Sequence, residues 1–371
     1  MTTVYWLTCR SMRDLCSTTH HALLTGLVNR DCRVVLVNAD ESFSHQQAPW
    51  NHVRVSSSSL PGQAARSIGK KMKAWAKSHT FEMDAVVVLD WRVAPRLAPI
   101  FSSLKIAWVL LDRSPPANAG LLGRLQWPSW KSAWRHVSAH PNGLGFVVSP
   151  SHSHLVKQKT GTPLDKMVVL PVGVDMDMFR PGKRRSRFTL IYHGRLDKNR
   201  GVLALPMLVE KARQMALDVD LILVGDGDAV GGLKQIQEGM DGLELYPAMP
   251  QNELAVLLST CHVGLLPMPK NPVWSVASPL KQVEYAASGL AMLGIDHQGH
   301  RLRNQRQTSW LKLVSQEDFL LDGVRWLVEL QQKSLDEIGA AARCFAEEEL
   351  SWNAPIEALH EALLSLFPTS V

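Results

Sequence analysis

The chain has 371 residues, 46% of them hydrophobic and 20% charged, with a formal net charge of +6; this length favours two domains, and the composition excludes a disordered or collagen-like chain. No apolar run reaches the roughly 18 residues that span a bilayer, and Arg10, Arg13 and Asp14 stand where a signal peptide would be apolar, so a cytoplasmic protein is expected. The five cysteines are scattered and lack a C-x-x-C spacing, which indicates neither a disulfide framework nor a zinc site; no metal is expected.

The charge is unevenly placed. Residues 1–180 carry 21 Lys plus Arg against 11 Asp plus Glu, whereas residues 181–371 carry 19 against 23. The basic half implies an acidic partner: an anionic membrane surface, a phosphorylated acceptor or nucleic acid. No recognised nucleic-acid motif accompanies the charge, so nucleic acid is not an expected partner.

Short apolar runs at 4–7, 34–37, 85–89, 106–111, 146–149 and 167–170 alternate with helical patterns, which predicts a parallel sheet with helices on both faces. Ligands of such sheets gather at the carboxyl ends of the strands, and that rule nominates residues 9–19, Asp90 and the neighbouring Trp91 and Arg92, and Asp112 with Arg113. Ordinary turn and salt-bridge roles compete for each of these. Two helical stretches read as membrane-facing. In 64–77, Ala65, Ile68, Met72 and Trp75 share a face while Arg66, Lys70, Lys73 and Lys77 line another; in 121–137, Trp130, Trp134 and Val137 share a face beside Arg124, Lys131 and Arg135. The competing reading turns the same apolar faces into a core.

The run 179–187 carries five cations and reads as the linker between domains. The expected division is 1–178, joined by a returning helix at 355–371, and 179–354. The second half opens with a strand at 188–192, followed by a loop in which Gly194 allows close backbone approach and Arg195 and Arg200 supply cations for an anion. A strand at 221–224 leads to a tight turn with Gly225 and Asp226. A further strand at 243–246 leads to Met249, and these loops suit the face and edge of a nucleobase.

The most informative stretch is 267–289. A buried strand at 263–266 ends at Pro267, and after a proline-rich loop a helix is predicted to start at Ser278 as N-cap with Pro279 at its first position. The free amides of Leu280 and Lys281, the helix dipole and the Lys281 charge make that start an anion site, sized for a diphosphate. Glu284, one turn on, is placed to accept hydrogen bonds from a ribose diol. A capped amphipathic helix with Lys281 and Glu284 in solvent is the competing reading.

Taken together, PVGVD at 171–175, HGRL at 193–196 with a cation five residues after its Arg, LVGDG at 223–227, GLLP at 264–267 and SPLKQVEYAASG at 278–289 resemble glycosyltransferase family 4, a group 1 family of GT-B enzymes. The resemblance implies two Rossmann-like domains facing an interdomain cleft, with the last helix crossing back to the first domain. It also implies a retaining transferase, without metal or resident cofactor, that moves a sugar from a nucleotide diphosphate sugar to an acceptor. With the two membrane-facing stretches 64–77 and 121–137, the expectation is a glycan or lipid-linked acceptor and a protein peripheral on the inner membrane face. By the family pattern Arg195 and Arg200 grip the diphosphate and Glu284 holds the ribose, while Asp90, Asp112 and Arg113 are the first-domain residues that could orient the acceptor. The chain departs from the pattern at Val276, where a Glu is common, and in lacking both a glycine pair within 9–19 and a histidine after residue 89. A non-catalytic binder of nucleotide sugar or glycan, or a nucleotide-sugar epimerase or hydrolase, shares the same frame.

Overall fold

The computed structural model describes residues 1–13, 17–41, 48–56, 64–116, 123–302 and 308–367. Leu121 and Leu122 of the second tryptophan-bearing stretch, and residues 14–16 of the loop expected to face a ligand, lie outside them. The chain forms two units, Met1–Pro171 with Trp352–Val371, and Val172–Ser351.

The first unit is built on seven parallel strands among the described residues: β1 Thr3–Leu7, β2 Arg33–Asn38, β3 Asn51–Arg54, β4 Ala85–Asp90, β5 Ala107–Leu111, β6 Leu144–Val147 and β7 Met167–Val169, in the order β3-β2-β1-β4-β5-β6-β7. The strands alternate between two cores because successive side chains point to opposite faces. Tyr5, Leu7, Val87 and Leu89 pack with helices Ala64–Ser78, Ala94–Ser103 and Trp127–Ala139. Val4, Trp6, Val86 and Val88 pack on the other face with Leu23 and Leu27 of helix Thr18–Val28 and with Ile356 and Leu359 of helix Asn353–Leu364. Both faces are covered, so the strands read as unbroken apolar runs. Gly26 makes the second contact possible, since a Cβ there would lie 2.4 Å from Ile356. The edge strand β3 was not legible from its sequence, NHVR, in which only Val53 is apolar and which is partly exposed.

The second unit has six parallel strands among the described residues, β8 Phe188–His193, β9 Val219–Val224, β10 Leu243–Tyr246, β11 Val263–Leu266, β12 Ala291–Ile295 and β13 Leu311–Val314, ordered β10-β9-β8-β11-β12-β13. Renumbered from its own first strand this is the 3-2-1-4-5-6 order of a doubly wound sheet, in which the direction of winding reverses between β8 and β11. Helix Leu280–Ala287 lies directly against β11 because Gly264 has no side chain: a Cβ there would come within 2.2 Å of the Tyr285 ring. The Tyr285 hydroxyl then donates to Ile191 O at 3.3 Å and ties the helix to β8.

The basic run 179–187 is not a linker. Phe179 is buried, Arg184 donates to Gly289 O at 3.0 Å and pairs with Asp336, Arg185 pairs with Glu244, and Arg187 pairs with Asp218 and Asp220. These cations have acidic partners throughout the second unit, and the chain changes unit earlier, after Pro171.

Two of the three tryptophans of 121–137 are core residues rather than a membrane-facing surface, and Trp127 is partly buried against them. Trp130 and Trp134 have no exposed area, and their indole N–H groups donate to Asp112 Oδ2 at 2.5 and 2.9 Å. His152 Nε2 lies 3.3 Å from the same oxygen, and the Ser114 amide donates to Oδ1 at 3.2 Å. Indole is apolar except for one donor, so burying two of them requires a shared acceptor, and Asp112 is that acceptor. In helix Ala64–Ser78 as well, Ile68, Met72 and Ala76 are buried, while the basic face is exposed. Asp112→Leu leaves two buried indole donors unpaired at about 1–3 kcal/mol each; urea denaturation is expected to register a loss of about 2 kcal/mol or more.

Candidate functional site

Of the elements named from the sequence of the second unit, the loop with Gly194, Arg195 and Arg200, the turn at Gly225 and the start of helix Leu280–Ala287 meet around the carboxyl ends of β8 and β11, where a doubly wound sheet opens a crevice, while Met249 follows β10, two strands from β8. Two backbone approaches create the space. Gly225, at φ +144°, sits so close to the HGRL loop that a Cβ would come within 1.8 Å of Gly194 O. Gly201, at φ +75°, closes that loop against the carbonyl of Pro267, 2.4 Å from where its Cβ would be. Gly194 itself has φ +114°, and the Nζ of Lys281 lies 3.6 Å from where its Cβ would be. Glycine is the residue that accepts these dihedrals without strain.

Helix Leu280–Ala287 starts one residue later than its sequence predicts. Pro279 is the N-cap, and Ser278, instead of capping, accepts a hydrogen bond from the Val172 amide at 3.2 Å on its Oγ. The amides of Leu280 and Lys281 still open the first turn. Lys281 is 8% and Glu284 3% exposed, so the solvated amphipathic helix is ruled out. The Lys281 ammonium lies 5.1 Å from the centre of the Tyr192 ring.

Arg200 is brought to the same ring. Its charge, together with a hydrogen bond from it, opposes the rise in the Tyr192 hydroxyl pKa that burial causes, which nonetheless reaches about 12. Its guanidinium stacks on Trp274 at 4.5 Å, and its Nε is buried without a hydrogen-bond partner among the described residues. Arg195 stands further out, with its side chain 49% exposed and bonded to Asp197 at 2.9 Å; Arg200 Nε lies 3.6 Å from the same carboxylate. Burial raises the pKa of the Asp197 carboxyl, but the hydrogen bond and charge of Arg195, with the charge of Arg200, outweigh it and hold the group below its usual range. Both arginines named from the sequence therefore share one internal counter-ion.

Glu284 lies deeper. Its Oε1 accepts from Gln251 Nε2 at 3.2 Å, and its Oε2 faces His193 Nε2 at 3.2 Å, yet neither of those last two atoms completes a hydrogen bond among the described residues. A buried carboxylate with an open lone pair suits a ligand hydroxyl. Asp226 is exposed and bonds the Gly227 amide at 2.8 Å, and Met249 is partly buried on the loop after β10. Val276 is buried and apolar in the turn Trp274–Val276. Sequence reasoning did not assign roles to His193, Tyr192, Asp197, Gln251 or Trp274. His193 could have been found, because it ends β8 immediately before Gly194; Gln251 and Trp274 carry no local signal and reach the site only through folding.

In the first unit Asp90 is buried at the end of β4. It accepts from Thr8 Oγ1 at 3.0 Å and from the Arg92 amide at 2.9 Å. Burial raises its pKa, while the Arg92 and Arg10 charges more than offset this and hold it low. Asp112, expected from the sequence to orient an acceptor, has its oxygens committed to the tryptophan cluster instead. Arg113 donates to Leu170 O at 2.6 Å. Among the described residues no three His, Cys, Asp or Glu side chains cluster as a metal site.

The family model for glycosyl transferases group 1 matches residues 187–329, within the second unit. No curated protein matches the chain in sequence. Among solved structures, sucrose-phosphate synthase from Thermosynechococcus elongatus superposes with a TM-score of 0.80 at 14% identity over 100% of both chains. A glycosyltransferase from Rickettsia africae gives 0.77 at 12% identity over 100% of this chain and 99% of its own. HepE from Anabaena, in complex with UDP, gives 0.75 at 14% identity over 98% of this chain and 100% of its own. The chain has the GT-B fold that these structures share.

Gly225→Ala forces a side chain into the Gly194 carbonyl at a positive φ. Backbone strain and overpacking each cost about 1–3 kcal/mol, and urea unfolding of this variant is expected to fall by about 2 kcal/mol or more.

Proposed function

We propose that the protein is a retaining glycosyltransferase that takes a sugar from a nucleotide diphosphate sugar and passes it to a glycan or lipid-linked acceptor. The observation that carries this reading is the pair of buried charged side chains, Lys281 and Glu284, on the first turns of a helix that opens at the carboxyl ends of β8 and β11. HepE, similar in fold, has been solved with UDP-glucose as well as UDP, and the group 1 match spans the residues that build this site.

Breaking the anomeric bond places negative charge on the departing nucleotide diphosphate, and fixed cations and helix-end amides stabilise that charge as it develops. Lys281 and Arg200 converge around Tyr192, the amides of Leu280 and Lys281 open the helix, and Arg195 and Arg200 are freed when a diphosphate takes the place of the Asp197 carboxylate. Glu284, steadied by Gln251, accepts from the ribose hydroxyls. The donor is a co-substrate, and charge neutralisation is assigned to these side chains. Nucleotide-sugar binding without transfer is the second reading, favoured by the apolar Val276 where a Glu is common in the family.

The acceptor-side assignment includes a membrane surface, with a smaller contact than the sequence suggested. Residues 1–171 with 352–371 carry 20 Lys plus Arg against 11 Asp plus Glu. Arg66, Lys70, Lys71, Lys73 and Lys77 are exposed along helix Ala64–Ser78, which has no acidic residue, and none forms an ion pair among the described residues. Such a stripe gains about 1 kcal/mol per cation against anionic lipid and nothing from apolar insertion. No described helix is long and apolar enough to cross a membrane.

Screening UDP- and GDP-sugars for acceptor-dependent nucleotide release tests the transfer reading. Arg200→Ala is expected to lower kcat by about a hundredfold, equivalent to ~3 kcal/mol of barrier, with thermal stability retained. Donor binding without release in any acceptor mixture favours the non-catalytic reading. Sedimentation with phosphatidylglycerol vesicles at low salt is expected for the unmodified chain; combining Lys70→Glu, Lys73→Glu and Lys77→Glu, or raising the salt, is expected to leave it in the supernatant.

A further inference from the structure

Between the two arginines assigned to a diphosphate stands an anion of the chain's own. Asp197 occupies the N-cap position of the short turn Lys198–Arg200, where an aspartate ordinarily accepts a hydrogen bond from an amide of the turn that follows it. Its side chain accepts none from that turn, and the Lys198 amide donates instead to Asp228 Oδ1 at 2.7 Å. The Asp197 carboxylate is turned toward the guanidinium groups. Arg195 grips it as a fork, with Nη2 donating to Oδ1 at 2.9 Å and Nε to Oδ2 at 3.3 Å, and Arg200 Nε lies 3.6 Å from Oδ2.

This is also the geometry in which guanidinium groups bind phosphate. The loop does not depend on it for its shape. Backbone bonds from the Leu196 amide to Asp226 O and from the Arg200 amide to Asp197 O, both at 2.9 Å, hold the loop, and Gly201 seats it on the Pro267 carbonyl. The Arg195 side chain is 49% exposed and that of Asp197 19%, and ion pairs open to water add little to stability. The influence of the carboxylate therefore falls on whatever anion the arginines receive. A diphosphate must displace Asp197 from both of them and is repelled by its charge.

That repulsion grows with the charge of the ligand. Both phosphates of a nucleotide sugar are esterified at two positions, whereas the nucleoside diphosphate left after transfer ends in a free phosphate that carries part of a further negative charge near neutral pH. Discrimination is a difference of affinities, and a fixed like charge produces it. We propose that Asp197 is a specificity-determining residue of this site: it competes for Arg195 and Arg200 and weakens the nucleoside diphosphate product more than the nucleotide-sugar donor, so that the spent nucleotide gives way to a fresh one. The inference rests on the reading of these arginines as the diphosphate grip, and adds which of the two nucleotides the site favours.

The test uses the whole chain. Calorimetry near neutral pH and at low salt gives the Kd of UDP, UDP-glucose, GDP and GDP-mannose for the unmodified protein, Asp197→Asn, Asp197→Ser, Asp197→Glu and Arg200→Ala. Asp218→Asn serves as control, because it removes the same charge from an ion pair with Arg187 just before β9, at the opposite end of the strand from the site. The two neutral variants are expected to bind the nucleoside diphosphate threefold or more tighter than the unmodified protein, and the matching nucleotide sugar tighter by a smaller factor, while the control stays within twofold. Any lesser gain, or a loss, in both neutral variants overturns the proposal and makes Asp197 a brace for its loop; the diphosphate reading survives that outcome if Arg200→Ala still weakens binding. An equal or larger gain for the nucleotide sugar overturns it as well, as does the same gain in Asp197→Glu, since charge is then not the cause. If neither base is bound, or if Arg200→Ala leaves binding unchanged, the diphosphate reading and this inference fall together. Asn and Ser differ in size, so failure of one variant to fold leaves the other to decide.

Discussion

The constraint on which the second unit depends is the close passage of backbone at three glycines around the end of β8. Gly194, Gly201 and Gly225 all take positive φ, and two of them lie where a Cβ would overlap a carbonyl. Because no side chains intervene there, the loop after β8 can reach both the turn after β9 and the strand end at Pro267. That proximity gives a buried ammonium and a buried carboxylate neighbours other than water. Charged groups are rarely buried without partners, and here Tyr192 lies under the ammonium while Gln251 donates to the carboxylate.

Much of this was legible in the sequence, and the reasons differ between the units. In the second unit the apolar runs are long, the glycines punctuate them, and Pro279 marks the helix start to within a residue. Burial of Lys281 and Glu284 was not legible, because helical spacing fits a solvated face equally well; only the missing side chain at Gly264, which seats Tyr285 on the sheet, decides it. The basic run 179–187 misled for a related reason. Local sequence reports the cations and omits acidic partners such as Glu244 and Asp336, which lie far along the chain.

Tryptophan gave the other misreading. Three indoles near cations satisfy the pattern of an interfacial helix as well as that of a core, and the deciding residue, Asp112, precedes them at the end of another strand. A buried carboxylate bonded by Trp130 and Trp134 cannot be read from either segment alone. It also shows how one strand end divides its labour: Asp112 points inward to fasten a helix to the sheet, while the next residue, Arg113, donates to the Leu170 carbonyl.

The helix Asn353–Leu364 has a consequence for biosynthesis. Ile356, Leu359 and Leu363 complete a core whose other members lie before Pro171, and the whole of Val172–Ser351 is translated in between. As the nascent chain leaves the ribosome, the second unit has every residue it needs while the first still presents an uncovered apolar groove along Leu23 and Leu27. Domains generally fold in order of emergence, yet here the earlier one is finished last, and that groove stays open to chaperones until the closing helix arrives.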